Sequence, residues 1–150
     1  MKWQFWILLA LSFLLINAMS AGWVAAVLLG GFEVFTGLDV ATEGMTLEGL
    51  LFEAGCRVVP YAVLTAITLF SSLKYSRPGR VALWVALVAV SIFHSWGYYA
   101  FQAPTYTDVR ISSTHALMLV FIPLHATWIS ALFGWTAYRI MKARNRTVVK

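Results

Sequence analysis

Charge is what this sequence has least of: Asp, Glu, Lys and Arg make up 11% of its 150 residues, against about 25% in an ordinary soluble domain. With 61% apolar residues and a mean hydropathy of +0.78, the chain has too little polar surface to cover a water-soluble core. Cysteine is nearly absent too. Cys56 stands alone, which excludes an intrachain disulfide and a CxxC redox pair. Also missing are a glycine-rich phosphate loop, an HExxH zinc motif and a GxSxG nucleophile elbow, so no catalytic machinery is evident and no enzyme activity is assigned. There is no periodic repeat or low-complexity tract.

Long apolar runs are what the chain has in abundance. A helix crossing about 30 Å of hydrocarbon needs about 20 largely apolar residues. Four runs qualify, at approximately 5–32, 52–73, 81–101 and 113–138. They predict an all-α fold, an integral membrane four-helix bundle that makes residues 1–150 a single transmembrane domain. The first run carries no charge between Lys2 and Glu33 and exceeds one perpendicular crossing. Tilt, a break near Ser20 to Gly22, or projection of Gly30 and Gly31 beyond the hydrocarbon would absorb the excess. Ala18-Met19-Ser20 has the small-x-small form of a signal cleavage site, but apolar sequence continues past it, so an uncleaved first helix is expected. Thr46 is a candidate N-cap for the second helix, and Ser112, Ser113 and Thr114 offer caps for the fourth. Pro60 and Pro123 fall inside spans, where a missing N–H and the ring's clash with the preceding turn predict kinks.

Charge sign gives the orientation. Lys2, then Lys74, Arg77 and Arg80, then Arg139, Lys142, Arg144, Arg146 and Lys150 fall on one side of an alternating four-span path, with no acidic residue among them. All six acidic residues, Glu33, Asp39, Glu43, Glu48, Glu53 and Asp108, fall on the other side with Arg57 and Arg110. The positive-inside rule makes the first side the cytoplasm, which predicts a multi-pass protein of the inner (plasma) membrane with both termini cytoplasmic. Basic residues dispersed beside apolar runs serve topology, so the net charge of +5 does not point to nucleic acid. Interface-seeking aromatics agree: Trp3, Trp6, Trp84, Trp135 and Tyr138 fall at the inner boundary, and Trp96, Tyr98, Tyr99 and Tyr106 at the outer. Asn145-Arg146-Thr147 matches a glycosylation acceptor, and a cytoplasmic position removes that meaning.

A few side chains could carry chemistry. Glu53 and Arg57 are four apart with the acid first, the favourable order for a helical ion pair. A structural pair is expected, with proton acceptance by Glu53 or anion binding by Arg57 as the functional alternative. His94, His115 and His125 lie in or beside the last two spans, but their depths form a ladder and no HxxxH or ExxH spacing brings two together. Each is therefore expected to bond a carbonyl, hydroxyl or water between helices, and no metal or other cofactor is assigned. Pro123 lies in the same turn as His125, a pairing of disturbed backbone and ionisable side chain found at some transport sites. Small residues invite close packing at Gly22, Ala25 and Ala26, at Ala54 and Gly55, and in the row Ala126, Ser130 and Gly134, the strongest candidate seam. The loop from Gly37 to Gly49 carries Asp39, Glu43 and Glu48, which read as solvated acids more readily than as a cation site.

The expected function is interaction. Such a protein would be an accessory subunit, an assembly factor or a protective or regulatory partner of another membrane component, with the bilayer and another membrane protein or itself as partners. The alternatives are an oligomeric transporter or channel subunit lined by His94, His125 and Glu53, and a haem- or metal-binding membrane redox protein using the histidines.

Overall fold

The computed structural model describes residues 1–43, 45–107, 110 and 115–147. Asp108, the capping residues Ser112, Ser113 and Thr114, the start of the fourth run at 113, and Lys150 lie outside them. The described residues are helical, with no strand. The helices are α1 (Trp3–Leu15), α2 (Ala18–Leu28), α3 (Val34–Thr42), α4 (Leu47–Phe70), α5 (Arg77–Gln102) and α6 (Met118–Thr147), with short 3-10 turns at Ser72–Tyr75, Ala103–Tyr106 and His115–Leu117. Three of them are long and apolar enough to cross a membrane, and a fourth crossing is added if α1 and α2 count as one bent span. The chain is a membrane protein on that ground.

The first apolar run is broken. α1 and α2 meet at 65°, and the break lies at Ile16 and Asn17, a turn before Ser20 to Gly22, the position of the break among the three expected alternatives. Asn17 decides it. Its Oδ1 accepts from the Ser20 N–H at 2.8 Å while the Ser20 hydroxyl accepts from the Asn17 N–H at 3.2 Å, a reciprocal cap that starts α2 afresh. At the far end of α2 the chain reverses through Gly31, whose φ of 68° suits only glycine among ordinary residues.

The stretch expected as an acidic outer loop is largely helical. α3 packs its small residues against α2: a Cβ on Gly37 would come within 2.9 Å of Val27, and the Trp23 indole donates to the Val34 carbonyl at 2.7 Å. Apolar contact at Gly37 and Ala41, one turn apart, is what turns this segment into a helix, while Asp39 and Glu43 stay exposed.

Thr46 caps α4 by accepting from the Gly49 N–H at 3.1 Å. Ser76 caps α5 in the same way through Gly79, with Pro78 in the first turn where its missing N–H costs nothing. α4 and α6 continue through Pro60 and Pro123 as single helices. α5 is the hub. Phe5, Tyr61, Leu64, Leu83, Ala86, Leu87, Val90 and Ala126, drawn from α1, α4, α5 and α6, form the buried core around it. Neighbours are ordered along it: Phe5 meets Trp84 and Ser12 meets Ser91, so α1 runs parallel to α5, whereas Gly134 meets Ala82 and Gly97 meets Ile122, so α6 runs antiparallel.

Candidate functional site

A break inside an apolar run frees carbonyls that lipid cannot satisfy. Three in succession, those of Leu14, Leu15 and Ile16, are met by side chains. Asn17 donates through Nδ2 to the Leu14 carbonyl at 2.9 Å, the Ser20 hydroxyl donates to Leu15 at 2.6 Å, and Arg57 reaches from α4 to donate through Nη1 to Ile16 at 2.8 Å. The Arg57 guanidinium also lies over the Phe13 ring, 4.8 Å from its centroid. Its Nε faces Glu53 Oε1 at 3.6 Å, an ion pair one turn back on the same helix. Both side chains are buried, Glu53 at 4% exposure and Arg57 at 7%. An apolar groove of about 690 Å³ opens sideways next to the break, lined by Leu15, Asn17, Ser20, Ser91, Trp96 and Tyr99 among others.

Above this pair, α4 and α5 interleave three rings. His94 is sandwiched between Tyr61 and Tyr98, with centroids 5.4 and 5.6 Å away and planes within 21° and 16°. His94 Nδ1 lies 3.4 Å from the Tyr61 hydroxyl. A turn before His94 on α5, Ser91 donates to the Leu87 carbonyl of its own helix at 2.9 Å, and its oxygen lies 3.0 Å from the Ser12 hydroxyl of α1. Four buried atoms in the cluster lack a hydrogen bond among the described residues: Glu53 Oε1, Arg57 Nε, His94 Nε2 and the Tyr98 hydroxyl. The first two face one another. His94 thus keeps an unpaired Nε2 in a shielded interior, while Glu53 Oε1 is turned to the Arg57 guanidinium, and neither residue lines the groove.

The three histidines go to separate places. His115 stacks on Phe101 at 4.5 Å and its Nε2 bonds the Phe101 carbonyl at 2.7 Å, tying the start of α6 to the end of α5. His125 is exposed, with Nδ1 2.8 Å from the Phe121 carbonyl of its own helix. Among the described residues no three His, Cys, Asp or Glu side chains are placed to hold a metal ion. Pro123 is fully buried, and the carbonyl beside it accepts from Thr127 at 2.8 Å. The row Ala126, Ser130 and Gly134 faces α5: a Cβ on Gly134 would come within 3.1 Å of the Ala82 carbonyl and 3.2 Å of the Ala86 side chain.

Turning that row inward leaves the other face of α6 outside. Only 17% of its apolar span is buried, against 28% for α4 and 44% for α5. Phe121, Trp128, Leu132 and Trp135 stand outward, Trp128 at 78% exposure. Sequence patterning missed Trp128, and with it Tyr61, Ser12 and Ser91, and it set Tyr98 at the outer boundary, whereas Tyr98 is fully buried against His94. Trp128 is the one that carried a signal, since it lies far from either end of its run, where an interface-seeking indole is out of place. Neither protein-family models, nor curated proteins, nor solved structures match this chain.

Proposed function

We propose that this is a small inner-membrane protein that works by interaction, presenting the outer face of α6 to a transmembrane partner as an accessory subunit, assembly factor or regulatory companion. One observation carries this reading: the His125 ring and the Trp128 indole, both polar and both near the middle of the α6 span, are exposed and face away from the chain's own core. Ionisable residues within a bilayer ordinarily turn toward a bundle interior or a water-filled cavity, because hydrocarbon offers them no hydrogen bond. Here that interior belongs to another helix. We further propose that α1 and α2 form one broken span, so that four crossings make a bundle with both termini in the cytoplasm. The parallel course of α1 and α5, the antiparallel course of α6, and the basic ends at Lys2 and Arg139 to Lys150 support this arrangement.

The test is site-specific photocrosslinking in native membranes. A photoreactive residue at 128 is expected to yield a discrete protein adduct, while one at Val88, exposed at 53% on α5, yields lipid adducts only. Lipid adducts alone at 121, 128 and 132 would overturn the interaction reading.

A further inference from the structure

We infer that the partner of α6 is a second copy of this chain, packed about a two-fold axis along the membrane normal; this rests on the interaction reading above and names its occupant. The inference starts from hydrogen-bond type. A carbonyl can only accept, so the 2.8 Å contact from His125 Nδ1 to the Phe121 carbonyl places the imidazole proton on Nδ1. The other ring nitrogen, Nε2, is then left to pair with a group outside the chain, since it has no partner among the described residues. One turn on, Trp128 presents an indole N–H, a donor that likewise has no partner among the described residues. The two are not bonded to one another within the chain, where the only hydrogen bond of the His125 ring among the described residues runs to Phe121.

Depth sharpens the point. Trp128 lies roughly 15 Å from Met118 and roughly 16 Å from Arg139 along the helix, near the middle of the apolar span, where neither lipid headgroups nor water reach. A two-fold interface brings residue i against residue j and, at once, j against i. An adjacent donor and acceptor on one face therefore complete each other twice, Trp128 of each copy donating to His125 of the other.

The surrounding residues have the matching period. Phe121, His125, Trp128, Leu132 and Trp135 are all exposed and follow one another at spacings alternating between four and three, the repeat of a parallel helix pair whose knobs fill facing holes. In that packing a knob at 125 enters a hole whose rim includes 128 of the facing helix, which is the pairing that the donor and acceptor require. The seam ends at Arg139, which lies over Trp135 at 5.4 Å, where like charges of the two copies reach the water boundary.

Cysteine scanning of the full chain carrying Cys56→Ser, oxidised in native membranes, tests this directly. Phe121→Cys, Leu132→Cys and Trp135→Cys are expected to give disulfide-linked dimers, and Phe133→Cys and Thr136→Cys, exposed but off the stripe, are expected not to. Trp128→Phe keeps the ring and removes the donor, and is expected to weaken the dimer about tenfold in a dilution series, two interhelical hydrogen bonds being lost together. Crosslinking without the period, or equal dimerisation of Trp128→Phe and the parent, would overturn the two-fold seam. If photocrosslinking at 128 instead yields an adduct with a different protein, the second copy is excluded and the interaction reading stands. Lipid adducts alone would remove both.

Discussion

Arg57 holds together parts of the chain that lie 41 residues apart in sequence, donating to Ile16 while neutralising Glu53. Its worth is best judged by what its loss would leave behind. Arg57→Met keeps the bulk of the side chain but strands the Ile16 carbonyl and removes the cation that faces the buried Glu53. Removing one partner of a buried pair costs about 3–5 kcal/mol, whereas replacing both partners by apolar groups is often near neutral. Arg57→Met is therefore expected to unfold at much lower denaturant, and the double variant with Glu53→Leu to recover most of that loss apart from the Ile16 bond. Unfolding in mixed micelles by SDS titration measures both, and a double variant no better than the single would show that the ion pair is not what Arg57 contributes. The pair itself was readable from its four-residue spacing. Its acceptor was not, because a carbonyl becomes available only where a helix breaks, and no side chain announces it.

Among the elements, the break was one of three ways by which the sequence allows the long first run to be absorbed, and it lies a turn before Ser20 to Gly22. Gly22 is buried under Gln102 and sits within α2, while the hydrogen-bonding residue Asn17 starts the new helix. The sign was present: Asn17 followed by Ser20 has the spacing of a reciprocal cap, and apolar flanks hid it. Helices α4, α5 and α6 were legible because apolar runs of their length have few other solutions in a membrane. α3 was not, because a short helix held by packing under α2 carries only a brief apolar period. Two glycines separate close contact from open space. At Gly79 a Cβ would stand 2.2 Å from the Leu73 carbonyl, fixing the tight link between α4 and α5, whereas a Cβ on Gly55 would meet nothing within 4 Å. Gly79→Ala is expected to destabilise the protein by about 1–3 kcal/mol through forced backbone movement. Gly55→Ala is expected to stabilise it by about 0.5–1 kcal/mol through helix propensity. Equal effects of the two substitutions in the same titration would show that the Gly79 contact does not constrain the link.

For the whole molecule, the order of contacts along α5 and the distribution of charge make the same demand from independent physics. Phe5 near Trp84 and Ser12 near Ser91 set α1 in the same direction as α5, and Gly134 near Ala82 sets α6 in the opposite direction. Lys2, Lys74, Arg77, Arg80 and Arg139 are then gathered at one end without reference to any charge rule. The bend of 65° does not disturb this, because α1 has already passed Ser12 when the chain turns, and α2 runs on to Gly22 beside Gln102 at the opposite end of α5. A reporter active only in the cytoplasm is thus expected to work when fused to either terminus, and to fail when inserted at Thr107, just past the far end of α5. A silent reporter at the N-terminus with an active one at the C-terminus would mean that α1 and α2 turn back without crossing. In that case only α4, α5 and α6 would span the membrane, and the carbonyls freed at Ile16 would line a re-entrant hairpin closed by Arg57.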